Sequence, residues 1–365
     1  MKKVLAACCV AVFLVACTGS SSVVLSKTHH HRTAVGSPSA SASVTPTGVA
    51  TPAGPIPGFL LIADAGNNRM LLVDPETKNI IWRYPKRGET PSEPFIYDDD
   101  TFFSPDHRSI MTNQEDQHTI QRISFPQGKL IWDYGHVNQP GSAYGYLHTP
   151  DDAYVLPNGN VSVADIVNCR IVVLSPAKKI VQQFGSPGDC RHDPPKAFGA
   201  PNGDTPLPGG GWLVTEIYGS WVDRLSATGK LIWAVQAPVS YPSDAQLLQN
   251  GNILIASYTF PGSVIEMTTK GRVVWRYART SGPGVLDHPS LAIMLPNGMV
   301  ALNDDHNDRV IVIDPKTNKI VWQYGQLNHP GRAPGYLNDP DGIDFLPASV
   351  AAQMPGFAQL LNRNG

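Results

Sequence analysis

One line of sequence recurs six times between residues 68 and 324, and this periodicity limits the fold more than any other feature. It reads NRMLLVDPETKNIIWRY at 68–84, HTIQRISFPQGKLIWDY at 118–134 and NCRIVVLSPAKKIVQQF at 168–184. It continues as SWVDRLSATGKLIWAV at 220–235, SVIEMTTKGRVVWRY at 263–277 and NDRVIVIDPKTNKIVWQY at 307–324. Each copy is an alternating apolar run, a polar turn and a second run, the pattern of a β-hairpin. A second line precedes most copies, as in PDDAYVLPNGNVSVAD at 150–165, PSDAQLLQNGNILIAS at 242–257 and PSLAIMLPNGMVALND at 289–304. Asn-Gly between alternating runs is a strong short-range hairpin signal. The 33 Gly and 33 Pro among 365 residues agree with many short strands joined by turns.

Together the two lines give four antiparallel strands per unit. One repeat position holds Trp82, Trp132, Trp233, Trp275 and Trp322, with Gln182 in the third copy. Their spacing sets a unit of about 40–50 residues, the size of a β-propeller blade. The chain enters at Gly58-Phe59-Leu60-Leu61-Ile62-Ala63-Asp64, which matches the second strand of a unit. The missing first strand stands at the far end, as Asp339-Pro340-Asp341-Gly342-Ile343-Asp344-Phe345-Leu346-Pro347. Such a split copy predicts that the last strand completes the first blade and removes the open sheet edges. The expected fold is therefore all-β, a six-bladed β-propeller over 58–347 with a tail at 348–365.

The stretch Gly145-Tyr146-Leu147-His148-Thr149-Pro150, followed by Val163-Ala164-Asp165 and Asn168-Cys169-Arg170, resembles NHL-repeat propellers, which are usually six-bladed. Thr228-Gly229-Lys230-Leu231-Ile232-Trp233 resembles a quinoprotein-type (PQQ-like) repeat. Quinoprotein dehydrogenases normally have eight blades, so a count of six counts against PQQ as cofactor. Propellers host many functions, and the resemblance implies architecture rather than activity.

Residues 1–16 have a basic start and a short apolar run, the layout of a secretory signal. Leu14-Val15-Ala16-Cys17, followed by Thr18-Gly19-Ser20, resembles a bacterial lipoprotein signal. That resemblance implies lipid on Cys17 and a membrane-anchored, extracytoplasmic protein. Residues 17–57 are rich in Ser, Thr, Ala and Pro and read as a tether, with His29-His30-His31 inside it. Of five cysteines, Cys8 and Cys9 leave with the signal, and Cys169 and Cys190 form an even pair in an oxidising compartment, suited to a disulfide. With 28 basic and 30 acidic residues, the net charge of -2 argues against a nucleic-acid binder.

First strands line the channel of a propeller. One aligned position there holds Asp99, Asp151, Asn202, Ser243, Ser290 and Asp341. The next holds Asp100, Asp152, Gly203, Asp244, Leu291 and Gly342. Carboxylates sharing one space repel, and a divalent cation such as Ca2+, with Asp152 and Asp244 as ligands, would relieve this. Hydrogen bonds from turn amides are the other reading. Of the histidines after residue 31, all but His107 fall in loops of one face, the mouth at which the first strands begin. A ligand site on that face would use His148, Asp152, Asp165 and Asp244. Asp64/Arg69, Asp165/Arg170 and Asp304/Arg309 repeat one offset, which suits an ion pair or loop cap.

No nucleophile elbow, zinc motif, P-loop or dinucleotide fingerprint is present. The expected function is a binding or scaffolding module that takes an extracytoplasmic protein or a small ligand at the mouth. The alternative is an enzyme at the same mouth. Leu286-Asp287-His288-Pro289-Ser290 resembles the arylsulfotransferase propellers, in which a channel His carries the sulfuryl group. That resemblance implies His288 as nucleophile, with His306, Arg279 or Arg191 on the anion, although the expected His-Asp is His-Pro-Ser here. A metal-assisted lactone hydrolase would instead gather Asp152, Asp165, Glu216 and Asp244 around a divalent cation. Glu216 replaces the Asp of the repeated pairs.

Overall fold

The structure, a computed structural model, describes residues 54–362. The expected signal peptide, the lipidated Cys17, His29–His31 and most of the tether lie outside the described residues. Among those described are six antiparallel sheets of four strands each. Blade 3 is typical, with strands Pro150–Val155, Val161–Asp165, Arg170–Leu174 and Ile180–Gly185 in spatial order. The first strands of neighbouring blades lie against one another around the axis, which makes this a six-bladed propeller.

The ring closes as the split repeat requires. Pro340–Pro347 pairs with Gly58–Asp64, with Ile343 opposite Ile62 and Pro347 opposite Gly58. The Asn-Gly signals do make hairpins, but with three-residue loops rather than two. In blade 3, Leu156 N donates to Asn160 O (2.7 Å), Asn158 Oδ1 accepts from Asn160 N (3.0 Å), and Gly159 has φ of 83°. A type I turn followed by a left-handed residue favours Gly at that place.

The repeat-position Trp joins blades. Its indole N–H donates to the outer turn of the next blade, from Trp82 to Pro126 O (2.8 Å), Trp132 to Pro176 O (3.0 Å) and Trp275 to Asn318 Oδ1 (2.7 Å). Gln182 repeats the contact with its side-chain amide, 3.4 Å from Ala227 O. A planar N–H donor at the end of a long side chain is the shared requirement.

Residues 348–362 pack against blade 1. They form short helices at Ala348–Ala351 and Phe357–Asn362. Phe357 is buried with its ring edge-on to Phe59, 4.9 Å between centroids. Ile81 shares that cluster and is 4% exposed, whereas its counterparts Ile131 and Ile232 are 53% and 52% exposed. At the other end, Ile56 is buried in the cluster that joins blades 1 and 6.

Candidate functional site

All loops before first strands, and all loops between second and third strands, emerge on one face. His118, His136, His148, His192, His288, His306 and His329 lie in those loops, and His107 lies in a turn of the opposite face. Three repeats carry a clamp at the edge of this face. Asp165 Oδ2 accepts from Arg170 Nε (2.7 Å) and Asn168 Nδ2 (2.8 Å), and Oδ1 accepts from His148 N (2.7 Å). The arginine reaches on to Ser142 O (3.0 Å) and Tyr146 O (3.3 Å), holding the interblade loop. Asp64/Arg69 and Asp304/Arg309 do the same for the loops at 331–338 and 283–287. Burial raises the carboxyls of Asp64, Asp165 and Asp304, and the paired arginines oppose that rise. Asp165 is thereby engaged in loop support.

The first strands begin with a bulge that turns two successive side chains toward the axis. In blade 3, Pro150 pairs with Asp165 and Ala153 with Val163, leaving Asp151 and Asp152 between. The aligned residues form a ring at the mouth. Asn113 Nδ2 donates to Asp99 Oδ2 (2.7 Å), Asn202 Nδ2 to Ser243 Oγ (3.3 Å), and Ser290 Oγ to the carbonyl of Asp341 (3.1 Å). One carboxylate oxygen each from Asp99, Asp100 and Asp151 lies within 4.8 Å of the other two. One layer down, Asp152 and Asp244 flank Gly203. A Cβ there would stand 3.1 Å from Asp152 Oδ2 and 3.0 Å from Asp244 Oδ1. Only a residue without a side chain leaves that space between the carboxylates.

The electrostatics are one-sided. Among the described residues, no Lys or Arg forms an ion pair with Asp99, Asp100, Asp151, Asp152, Asp244 or Asp341. Burial pushes Asp244 and Asp341 up to about 6. Asp99, Asp100 and Asp152 rise well above the ordinary carboxylate range, through burial first and facing carboxylates second. Asp100 Oδ1 and Asp152 Oδ1 are buried without a hydrogen-bond donor. Glu115 and Asp305 from second-to-third-strand loops add to the same field.

Above the ring, the structure brings His288 and His306 together, with centroids 4.3 Å apart. His288 Nδ1 lies 2.6 Å from Asp287 Oδ1, and His306 Nδ1 lies 3.5 Å from the same oxygen. Tyr258 stands edge-on to His288 at 4.8 Å. Neither expected arginine joins them. Arg279 donates to Asn318 O and lies over Tyr277, and Arg191 pairs with Asp189. His148 faces His118 instead, 5.4 Å between ring centroids. Glu216 also stands outside the ring, accepting from Gly199 N (2.5 Å) and lying 2.9 Å from His192 Nδ1. Of the four carboxylates expected around one cation, Asp152 and Asp244 thus share the channel, while Asp165 and Glu216 have other partners. Asp287 enters the sequence reading only as part of the motif around His288, with no role of its own, and Asp223 does not enter it. Asp223 carries a signal, since the aligned copies hold Leu71, Gln121, Val172, Ile265 and Ile311.

Cys169 and Cys190 form a disulfide, Cα atoms 5.2 Å apart, that ties the interblade loop before blade 4 to blade 3.

Comparison with known proteins agrees with this architecture. The family model described as outer membrane protein assembly factor BamB matches residues 191–341. No curated protein matches the chain. Among solved structures, a protein of unknown function from Bacteroides caccae is 18% identical with a TM-score of 0.55, covering 78% of this chain and 97% of that one. A streptogramin B lyase is 17% identical with a TM-score of 0.50, covering 79% of this chain and 87% of its own. Virginiamycin B lyase from Staphylococcus aureus is 16% identical with a TM-score of 0.45, covering 64% and 71%. At these identities the likeness concerns the fold alone.

Proposed function

We propose that this chain is a lipid-anchored, extracytoplasmic binding propeller whose channel mouth holds a hard divalent cation and, through it, an oxygen-rich small ligand. The carboxylate ring carries the reading. Six buried or half-buried aspartates face one another without a basic ion-pair partner, and two of them keep a buried oxygen without a donor. An all-oxygen donor set of this kind suits Ca2+. The clamped interblade loops wall the mouth, and exposed Tyr144, Tyr218 and Phe260 on the same face offer anchors for a protein partner. The disulfide fits an oxidising compartment. The BamB match supports the same address and a scaffolding role. Lipid on Cys17 would hold the propeller at a membrane surface.

Calorimetric titration of the chelator-treated chain with Ca2+ tests this. One ion per chain is expected, with affinity lost in Asp151→Asn and Asp99→Asn. No heat, or equal binding by the wild type and both variants, overturns the reading.

A second reading rests on the Asp287–His288 hydrogen bond. A carboxylate that fixes Nδ1 leaves the other ring nitrogen of His288 free to act as base or nucleophile at the same mouth. His306 stands close enough to stabilise an anion. Sulfuryl transfer or lactone hydrolysis that survives His288→Ala would remove this reading.

A further inference from the structure

Blade 4 breaks the clamp that blades 1, 3 and 6 share. Glu216 takes the place of Asp64, Asp165 and Asp304, and Trp221 takes the place of Arg69, Arg170 and Arg309. The guanidinium that elsewhere answers the carboxylate is therefore missing. The blade adds a second carboxylate instead, Asp223, at a position occupied by neutral residues in the other five copies. Glu216 and Asp223 are both fully buried, and neither oxygen of Asp223 has a hydrogen-bond donor. Two carboxylates in one buried space repel, and a shared proton or a bound cation relieves this.

His192 closes the cluster. Its Nδ1 lies 2.9 Å from Glu216 Oε1 and 3.9 Å from Asp223 Oδ2. Those separations bracket the value of about 3.4 Å between ligand atoms around a tetrahedral ion with bonds near 2.1 Å. Three neighbouring constraints hold the donors in place. Gly199 N fixes Glu216 Oε2 (2.5 Å), which directs Oε1 at the histidine. The His192 ring stacks flat on Trp221, 4.0 Å between centroids and 5° between planes. The disulfide at Cys190, two residues away, pins the loop that carries His192. The His192 side chain is 23% exposed, so the cluster borders solvent at the histidine while both carboxylates are buried.

We propose that His192, Glu216 and Asp223 form a site for a first-row divalent transition ion of the Zn2+ type, separate from the carboxylate ring. One nitrogen and two carboxylate oxygens suit such an ion, whereas the all-oxygen ring suits Ca2+. The Trp-for-Arg exchange makes the site possible, because an arginine would fill it with its own charge.

Titration of the chelator-treated full chain with Co2+ tests the proposal, in a background where His29, His30 and His31 are changed to Ala. Visible d–d absorption of one four- or five-coordinate Co2+ per chain is expected, with quenching of Trp221 emission. His192→Ala and Glu216→Gln are each expected to weaken binding by more than about 100-fold. Trp221→Phe should keep the absorption and lose the quenching. His192→Ala carries the decision if Glu216→Gln fails to fold. Absence of the absorption in the parent chain overturns the proposal. So does unchanged affinity in His192→Ala. Asp151→Asn is expected to leave Co2+ binding unchanged, and loss of the absorption there would place the ion on the ring and overturn the proposal as well. The Ca2+ reading stands or falls on Asp151→Asn and Asp99→Asn, so the two failures are distinguishable.

Discussion

The indole N–H of Trp322 in the last blade donates a 2.9 Å hydrogen bond to the carbonyl oxygen of Pro75 in the first. This is the same contact that Trp82 and Trp132 make to their next blades, now made across the seam where the ring closes. Trp322 is nearly buried. Trp322→Phe is expected to cost about 1 kcal/mol through the lost hydrogen bond. Trp322→Ala should cost about 3–5 kcal/mol through lost packing as well. Urea denaturation of both variants measures the difference, and equal stability of the two would refute a packing role at the seam.

The clamp residues act as a unit. Arg170→Ala leaves Asp165 as a buried charge with its main counter-ion removed, an expected loss of about 3–5 kcal/mol. Replacing both partners, as Asp165→Leu with Arg170→Leu, should cost less than Arg170→Ala alone, because no uncompensated charge remains. Loosening of residues 141–148 should accompany either change, read as faster amide exchange at Tyr146 and His148. Unchanged exchange would mean that the loop is held by other contacts.

Much of this molecule is legible in the repeat, and the reason is geometric. Strand periodicity and the split copy specify which strand closes the ring, because Gly58–Asp64 has no inner partner except Pro340–Pro347. The Asp99 to Asp341 ring follows from register, since equivalent positions in a closed propeller must face one axis. Contacts made by non-repeating segments do not follow. His192 reaches Glu216 along a loop whose path is set by Cys190, and no strand pattern specifies it. His288 and His306 come from different loops, and their meeting depends on the conformation of both. The segment after 347 was expected as a tail, yet Phe357, Leu360 and Leu361 lie at the spacing of one helix face.

That helix has a measurable role. Phe357→Ala is expected to cost about 2–4 kcal/mol, because it removes the ring packed on Phe59 and opens the cover over Ile81. Increased binding of a hydrophobic dye at native temperatures should accompany the loss. A variant as stable as the wild type would show that the helix is dispensable to blade 1.

The disulfide closes a loop with a sequence separation of 21. Cys169→Ser with Cys190→Ser is expected to lower stability by about 3 kcal/mol on the loop-entropy model. The double variant should also free the loop bearing His192, and so weaken Co2+ binding while leaving Ca2+ binding intact. A loss of stability without any change in Co2+ affinity would separate the disulfide from the positioning of His192.

Asp344 provides a pH signature away from the mouth. Its carboxylate accepts from Phe103 N and Phe345 N, both at 2.7 Å, and burial still pushes it up to about 6 from an ordinary 3.8. The folded chain therefore takes up a proton at a pH where the unfolded chain has not yet done so. Between about pH 4 and 6 the folded state binds more protons, so stability must fall as pH rises through that window. The contribution is complete below pH 4, lost above pH 6, and amounts to at most about 3 kcal/mol. Asp344→Asn removes the titrating group. It leaves one of the two amides without its acceptor, a cost that is the same at every pH. Unfolding free energies at pH 4.5, 5.5 and 7 should therefore show a flatter profile in the variant than in the wild type. Parallel profiles would mean that Asp344 titrates alike in the folded and unfolded chains, and that its two backbone hydrogen bonds offset its burial.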